Sequence, residues 1–427
     1  MTHPDVIVVG AGLAGAAAAL KLANAGKHVT VIEARDRCGG RGFVKSYADE
    51  GPRLEFGGAW ITPWHHRLRA LVAAHGLSLR PRHPVTNRLW LRDGGLHADG
   101  AASQGDVTAH ERAIARVAAD AMLLKMGHAA NERAEALTGI SFRDYLDRLE
   151  CPKATRDLFS AWWTVSGNGE HGLVAASEFL HSCSYDNGLA EGMIRFWTDT
   201  VVPGMGVLAE RMIEAAGAEL VLSAPVGHVA QRDGGVEITA GAHVHRAEAC
   251  VLALGVNQMK AIRFTPELRA SKREAISLGH GGRSFKLWIR AEGVPVGTLV
   301  TGDGSGIEFA FAERADVDGS SYIVAFGLMQ AGSDPSDAAW VKAQAAKLFP
   351  NARVLSHDWH DWVDDPFARG TWVAAFAGHE AGLSADNWQP EGAIAFASSD
   401  YAREQAGWFE GAVISGEEAA DAVLRFT

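Results

Sequence analysis

Hydrophobic and polar positions divide the chain into recognisable elements. The run DVIVV at residues 5–9 is short and unbroken, the pattern of a parallel strand buried on both faces. An alanine-rich amphipathic stretch follows, predicting a helix to about Asn24 that stops at Gly26, and HVTVIE then predicts a second strand ending at Glu33. Residues 109–180 read mainly helical, with breaks at LTGIS and SGNGEHG. GGRSFKLWIR at 281–290 alternates Phe285, Leu287 and Ile289 with Lys286, Trp288 and Arg290, which predicts a strand with one buried and one wet face. Near the end, AIAFASSDYAREQAGWFEGAVISG at 393–416 reads as a strand, a polar turn and an apolar-striped helix.

Composition narrows the function classes. The chain has 427 residues, 47% of them hydrophobic and 21% charged, enough for two domains with sizeable cores. A net charge of −11 argues against nucleic acid or an anionic membrane as partner. Four cysteines without CxxC spacing (Cys38, Cys151, Cys183 and Cys250) indicate neither a metal site nor a disulfide framework. The N-terminus lacks a signal-peptide pattern and no apolar run reaches the length of a membrane span, so a soluble cytoplasmic protein is expected.

The first chemical motif is GAGLAG, with Gly10, Gly12 and Gly15 in GxGxxG spacing between a strand and a helix, and Glu33 closing the next strand. Gly10 permits the tight turn, Gly12 lets backbone approach a pyrophosphate, and Gly15 lets helix and strand pack closely. The helix N-terminus offers unpaired N–H groups and a positive dipole end to phosphate, and Glu33 can accept from ribose hydroxyls. The acid favours FAD or NAD over NADP and does not separate the first two.

EARDRCGGRG, with Glu33, Ala34, Arg35, Gly39, Gly40 and Arg41, and LEFGGAWI, with Gly57, Gly58, Ala59 and Trp60, resemble the flavin amine oxidase family. That family includes monoamine and polyamine oxidases, and the resemblance implies FAD on a Rossmann-type domain, an α/β unit intertwined with an α+β substrate domain. It places Arg35 and Arg41 beside the cofactor, where guanidinium suits phosphate and the electron-rich edge of a reduced flavin. The C-terminal stretch resembles the closing motif, in which Ser399, Asp400, Trp408 and Phe409 would meet the cofactor. Asp400 stands where the family usually has Glu, and Ser398 where it usually has Gly. Val226 aligns with a residue whose backbone meets the adenine. On this pattern residues 1–81, 201–286 and 376–427 form the FAD domain, and 82–200 with 287–375 the substrate domain.

The same resemblance assigns the reacting face. In HDWHDWVDDPFARGTWVAAFAG, at 357–378, Thr371 occupies the position of the cysteine that binds flavin covalently in mammalian members, so noncovalent FAD is expected. Trp372 and Trp408 would be the facing aromatic walls, with Trp362 flanking the flavin. Such walls attract partial positive charge and exclude water, favouring the neutral, reactive amine. Lys286 aligns with a buried lysine joined through water to the flavin N5, which turns the even-numbered face of its strand toward the cofactor. The implied reaction moves hydrogen from the carbon α to an amine nitrogen onto the flavin, with O2 or an electron-transfer acceptor completing the cycle.

GGAWITP offers no arginine before Arg67 to clamp a carboxylate, so a small uncharged or cationic amine is expected rather than an amino acid. The competing readings are a desaturase or porphyrinogen oxidase, an L-amino-acid oxidase, an amine dehydrogenase, and a flavin-binding protein without turnover. A long lipid tunnel would want aliphatic lining instead of facing tryptophans. His65, His66 and His181 are read as structural or surface histidines. A homodimer is compatible with the sequence, which does not specify an assembly.

Overall fold

The computed structural model describes residues 4–126, 132–185, 197–303 and 306–426. Residues 127–131 and 186–196 of the expected substrate domain lie outside them. A five-stranded sheet runs in the order Glu219–Val221, Val29–Ile32, Val6–Val9, Ala249–Leu252, Ile394–Phe396, and every pairing is parallel. Both faces of this sheet are covered, which is why its strands read as unbroken apolar runs. On one face pack the helices Leu13–Asn24, Met205–Ala215 and Phe409–Leu424. Against the other lies a four-stranded sheet containing Val226–Arg232 and Arg263–Thr265.

A seven-stranded mixed sheet forms the second layer system, with Ser284–Glu292 between Arg353–Trp359 and Ser321–Leu328. Helices Val107–Lys125, Phe142–Arg148, Lys153–Trp163 and Ala176–Ser184 belong to the aromatic-rich core on one of its faces. Helix Ala338–Leu348 covers the other. The mixed α/β and α+β architecture is the expected one. Among the described residues no helix is long and apolar enough to cross a membrane, and no His, Cys, Asp and Glu cluster could hold a metal.

One expectation from alternation is corrected. Residues Ser284–Ile289 are buried on both faces, so no wet face exists there. Phe285, Leu287 and Ile289 enter the core under Ala338–Leu348, whereas Trp288 packs into the aromatic core on the other side. Period-two patterning registers which residues share a face and is silent about what covers that face.

Candidate active site

The first glycine loop opens a groove of about 250 Å³. Gly10 has φ +103° and a Cβ there would sit 2.5 Å from Ala253 O, while one on Gly15 would sit 1.9 Å from Gly10 O. Those two glycines are required by the protein's own packing. Gly12 is different: a Cβ there would meet only Gly40 Cα, at 3.9 Å, so the protein's own packing leaves room for a Cβ. The helix beginning at Leu13 has no side-chain cap at Gly12, and its first N–H groups are left to a ligand or water. An anion in the groove would complete that helix end.

Glu33, Ala34, Arg35, Gly40 and Arg41 line the same groove, with Val226, Ser399 and Phe409 arriving from later segments. Glu33 organises the loop directly: one carboxylate oxygen accepts from the Ala11 N–H at 2.7 Å and the other from the Arg35 N–H at 2.9 Å. Arg35 forms a two-pronged pair with Asp365, both contacts at 2.8 Å. Arg41 donates to Asp400 Oδ1 at 2.6 Å, Ser399 Oγ at 3.0 Å and Thr371 O at 2.8 Å. Burial works to raise the Asp400 pKa, and the Arg41 guanidinium outweighs it, holding the carboxyl below its usual range. Gly15 and Asp400 support the groove from behind instead of lining it.

Arg41, Ser399 and Phe409 also line a second, larger cavity of about 500 Å³, so the groove and the cavity share a wall. Gly57, Gly58, Ala59, Trp60, Lys286, Trp362, Trp372 and Trp408 all face this cavity. Two of these indoles are pinned by hydrogen bonds. Trp372 Nε1 donates to Ser166 O at 3.1 Å and Trp362 Nε1 to Phe56 O at 3.0 Å. Trp408 stands at the start of the C-terminal helix, edge-on to His65 with centroids 5.3 Å apart. Glu410, in the first turn, accepts from the Arg67 and Leu68 N–H groups at 2.9 and 2.8 Å, anchoring this helix end to His66–Ala74.

Lys286 is held indoors. Its Nζ donates to Gly57 O at 3.0 Å and lies 5.2 Å from the Trp60 ring centre. Burial lowers its pKa to about 8, against opposing pulls from Glu55 and Glu313. Burial likewise raises Glu55 to about 7, even though its Oε1 accepts from the Met205 N–H.

Several lining groups carry no motif. Trp197 stacks on Trp60 at 4.6 Å, with planes 2° apart, and Phe326, Glu178, His181 and Tyr185 complete other walls. His181 and His65, read from sequence as structural or surface residues, lie respectively in the cavity wall and against Trp408. These residues sit on segments distant in sequence and bear no short-range signature. Only their arrival at one cavity marks them.

A groove at an uncapped helix start, sharing a wall with an aromatic chamber that holds a buried lysine, has room for a phosphate-bearing cofactor beside a reacting site. The profile of the flavin-containing amine oxidoreductases matches residues 13–424, and the chain belongs to that family. It is therefore an oxidoreductase acting on amine carbon–nitrogen donors with a flavin cofactor. The chain is 30% identical to (S)-6-hydroxynicotine oxidase of Paenarthrobacter nicotinovorans, over 98% of this chain and 99% of the relative. It is 27% identical to pseudooxynicotine dehydrogenase of Pseudomonas sp, over 97% of this chain and 85% of the relative. Among solved structures, a putrescine oxidase variant superposes with a TM-score of 0.87 at 24% identity, covering 100% of this chain and 99% of the other. The groove fits the family's flavin cofactor: Gly12 keeps open the space before an uncapped helix, and Arg41 stands between groove and chamber.

Proposed function

We propose that the chain binds FAD without a covalent link and oxidises a small amine to an imine, which water converts to an aldehyde or ketone, with O2 as electron acceptor. The observation that carries this reading is Lys286, buried beside Trp60 in the chamber that adjoins the anion-binding groove. The division into an FAD domain (1–81, 201–286, 376–427) and a substrate domain (82–200, 287–375) belongs to the same reading.

FAD, when bound, supplies a two-electron acceptor for the hydrogen on the carbon α to nitrogen. The protein's part is positioning and exclusion of water. Trp60, Trp372 and Trp408 give the chamber π faces that hold an amine by its partial positive charge and favour its neutral form. Lys286 holds a proton at Nζ, anchored on Gly57 O, where it can be given up or recovered during turnover. In the O2 reaction, two electrons and two protons go to O2 to make hydrogen peroxide.

Three features support the finer choices. Thr371 gives its hydroxyl to Asn168 Oδ1 at 2.6 Å, and among the described residues no cysteine lines the chamber to supply a thiol for a covalent link. Among the described residues the chamber's arginines are engaged, Arg41 by Asp400 and Arg403 by Asp386, and none of them is free to clamp a carboxylate. The indoles lining the chamber argue against a lipid substrate. The relatives include both an oxidase and a dehydrogenase, so the acceptor is decided by experiment.

Acid precipitation of the purified protein should release all its flavin into the supernatant, and amines should drive peroxide release under air while amino acids do not. Yellow colour retained in the pellet would exclude a noncovalent cofactor. Amine turnover with dyes but without O2 consumption would exclude an oxidase.

A further inference from the structure

Asn168 sits in the SGNG break between helices Lys153–Trp163 and Ala176–Ser184, and it is fully buried. Its backbone lies at φ +63°, a left-handed conformation that asparagine and glycine tolerate best. Two main-chain bonds hold it there: its N–H donates to Trp163 O at 2.8 Å, and its carbonyl accepts from the Arg283 N–H at 2.7 Å. The side-chain amide makes three more. Nδ2 donates to Trp372 O at 2.5 Å, while Oδ1 accepts from the Ser284 N–H at 2.8 Å and from the Thr371 hydroxyl at 2.6 Å. A peptide N–H only donates and a carbonyl only accepts, so one orientation of the amide satisfies this set and its flip does not.

The three side-chain partners belong to two segments of the chamber's lining. Ser284 opens the strand Ser284–Glu292 and, two residues before Lys286, shares its face. Thr371 and Trp372 come from the later segment, and all four residues line the chamber with Asn168 behind them. The same break grips both segments again: Ser166 O accepts from Trp372 Nε1, and Thr164 O accepts from the Ser284 hydroxyl. Joining a carbonyl on one segment to an N–H on the other takes a donor and an acceptor on one short stem. An amide supplies both, an ionised aspartate supplies acceptors alone, and glycine supplies neither.

We propose that Asn168 is a positioning residue for amine oxidation, its amide setting the separation between the Trp372 wall and the Lys286 strand. Through Trp372 it acts on where the amine is held, and through Ser284 on where the lysine Nζ stands. The inference rests on the parts given above to Trp372 and Lys286, and adds the group that fixes their spacing. A shift of about 1 Å between reacting groups is enough to cost much of the rate. A residue that only packed the loop into the core would, on substitution, lose stability and disturb both segments alike.

Two variants separate the two arms. Asn168→Gly keeps the left-handed backbone and its main-chain bonds while giving up all three side-chain bonds. Asn168→Asp, measured at a pH that keeps the new carboxyl ionised, restores acceptors for Ser284 and Thr371 but leaves Trp372 O without a donor. Reoxidation of the reduced flavin by O2 or a dye involves no amine and reads the Lys286 arm; the amine KM reads the Trp372 arm. In the flavin-loaded Asn168→Gly, reoxidation should slow by roughly ten- to hundredfold. Its amine KM should rise by roughly three- to tenfold, the worth of a neutral hydrogen bond. Asn168→Asp should recover most of the reoxidation rate while its KM stays raised. Wild-type values of both quantities in Asn168→Gly would overturn the proposal. So would losses that follow thermal stability across the two variants without this split. Lys286→Met distinguishes the levels: slow reoxidation there beside an unaffected Asn168→Gly removes the positioning role alone, whereas a wild-type rate there removes the reading of Lys286 and this inference with it. Should Asn168→Gly fail to retain flavin, Asn168→Asp decides by the same split, and its failure to retain flavin as well would mark Asn168 as a folding element and overturn the proposal.

Discussion

Lys286→Met should yield a protein that stays yellow and whose flavin half-reactions are slower by roughly 10²- to 10⁴-fold, the range expected for losing a positioned proton-transfer group. Methionine keeps most of the side chain's volume between Trp60 and Trp288, so the chamber wall should survive. What disappears is the Nζ proton donor now held on Gly57 O. The pH dependence supplies an internal control. With a pKa of about 8, the ammonium is present below that value and lost as pH rises through it. A step that needs the ammonium should therefore decline above about pH 8 in the wild type, and the variant should show no such inflection. Stability follows the opposite sign. Between about 8 and the ordinary lysine value of 10.5, the unfolded chain binds a proton that the folded chain has released, so unfolding free energy should rise with pH there. Rapid-mixing traces with unchanged rates in Lys286→Met would remove this residue from the mechanism.

The second large effect concerns Gly12. A Cβ at this position meets nothing of the protein closer than 3.9 Å, and its backbone lies at φ −75°, which any residue adopts. Gly12→Val should fold, and its thermal unfolding without cofactor should match that of wild-type apoprotein. Flavin affinity should fall by roughly ten- to hundredfold or more, since overpacking against a close-fitting partner costs about 1–3 kcal/mol. Gly15→Val offers the contrast, because its Cβ would collide with Gly10 O and damage folding itself. If Gly12→Val bound flavin as tightly as the wild type, the groove in front of Leu13–Asn24 would not be the phosphate site.

Much of this arrangement was legible in the sequence for definite reasons. The parallel strands Val6–Val9 and Val29–Ile32 declare themselves because burial on both faces leaves an unbroken apolar run. GxGxxG is legible because close approach of backbone to backbone admits glycine alone at Gly10 and Gly15. Lys286 was different. Its strand alternates as a half-wet strand would, and only the long-range resemblance gave the lysine a reason to be indoors. The pairing of Arg35 with Asp365 joins residues far apart in the chain, and local pattern carries no trace of it. Trp197 and Glu178 stayed hidden for the same reason. An aromatic residue on a short polar-flanked stretch, or a glutamate in the first turn of a helix, is ordinary until the fold closes a cavity over it. Chemistry that backbone geometry demands is written locally, and chemistry made by convergence of distant side chains is not.

At the centre lies one physical claim: the groove and the aromatic chamber hold a single flavin that accepts electrons from an amine. Anaerobic addition of amines to the purified, flavin-loaded protein, followed in the visible spectrum, tests it most directly. The account predicts that the flavin band bleaches with amine and returns when air is admitted. A band that persists through every amine offered, or a protein that emerges colourless and takes up no added FAD, would contradict it.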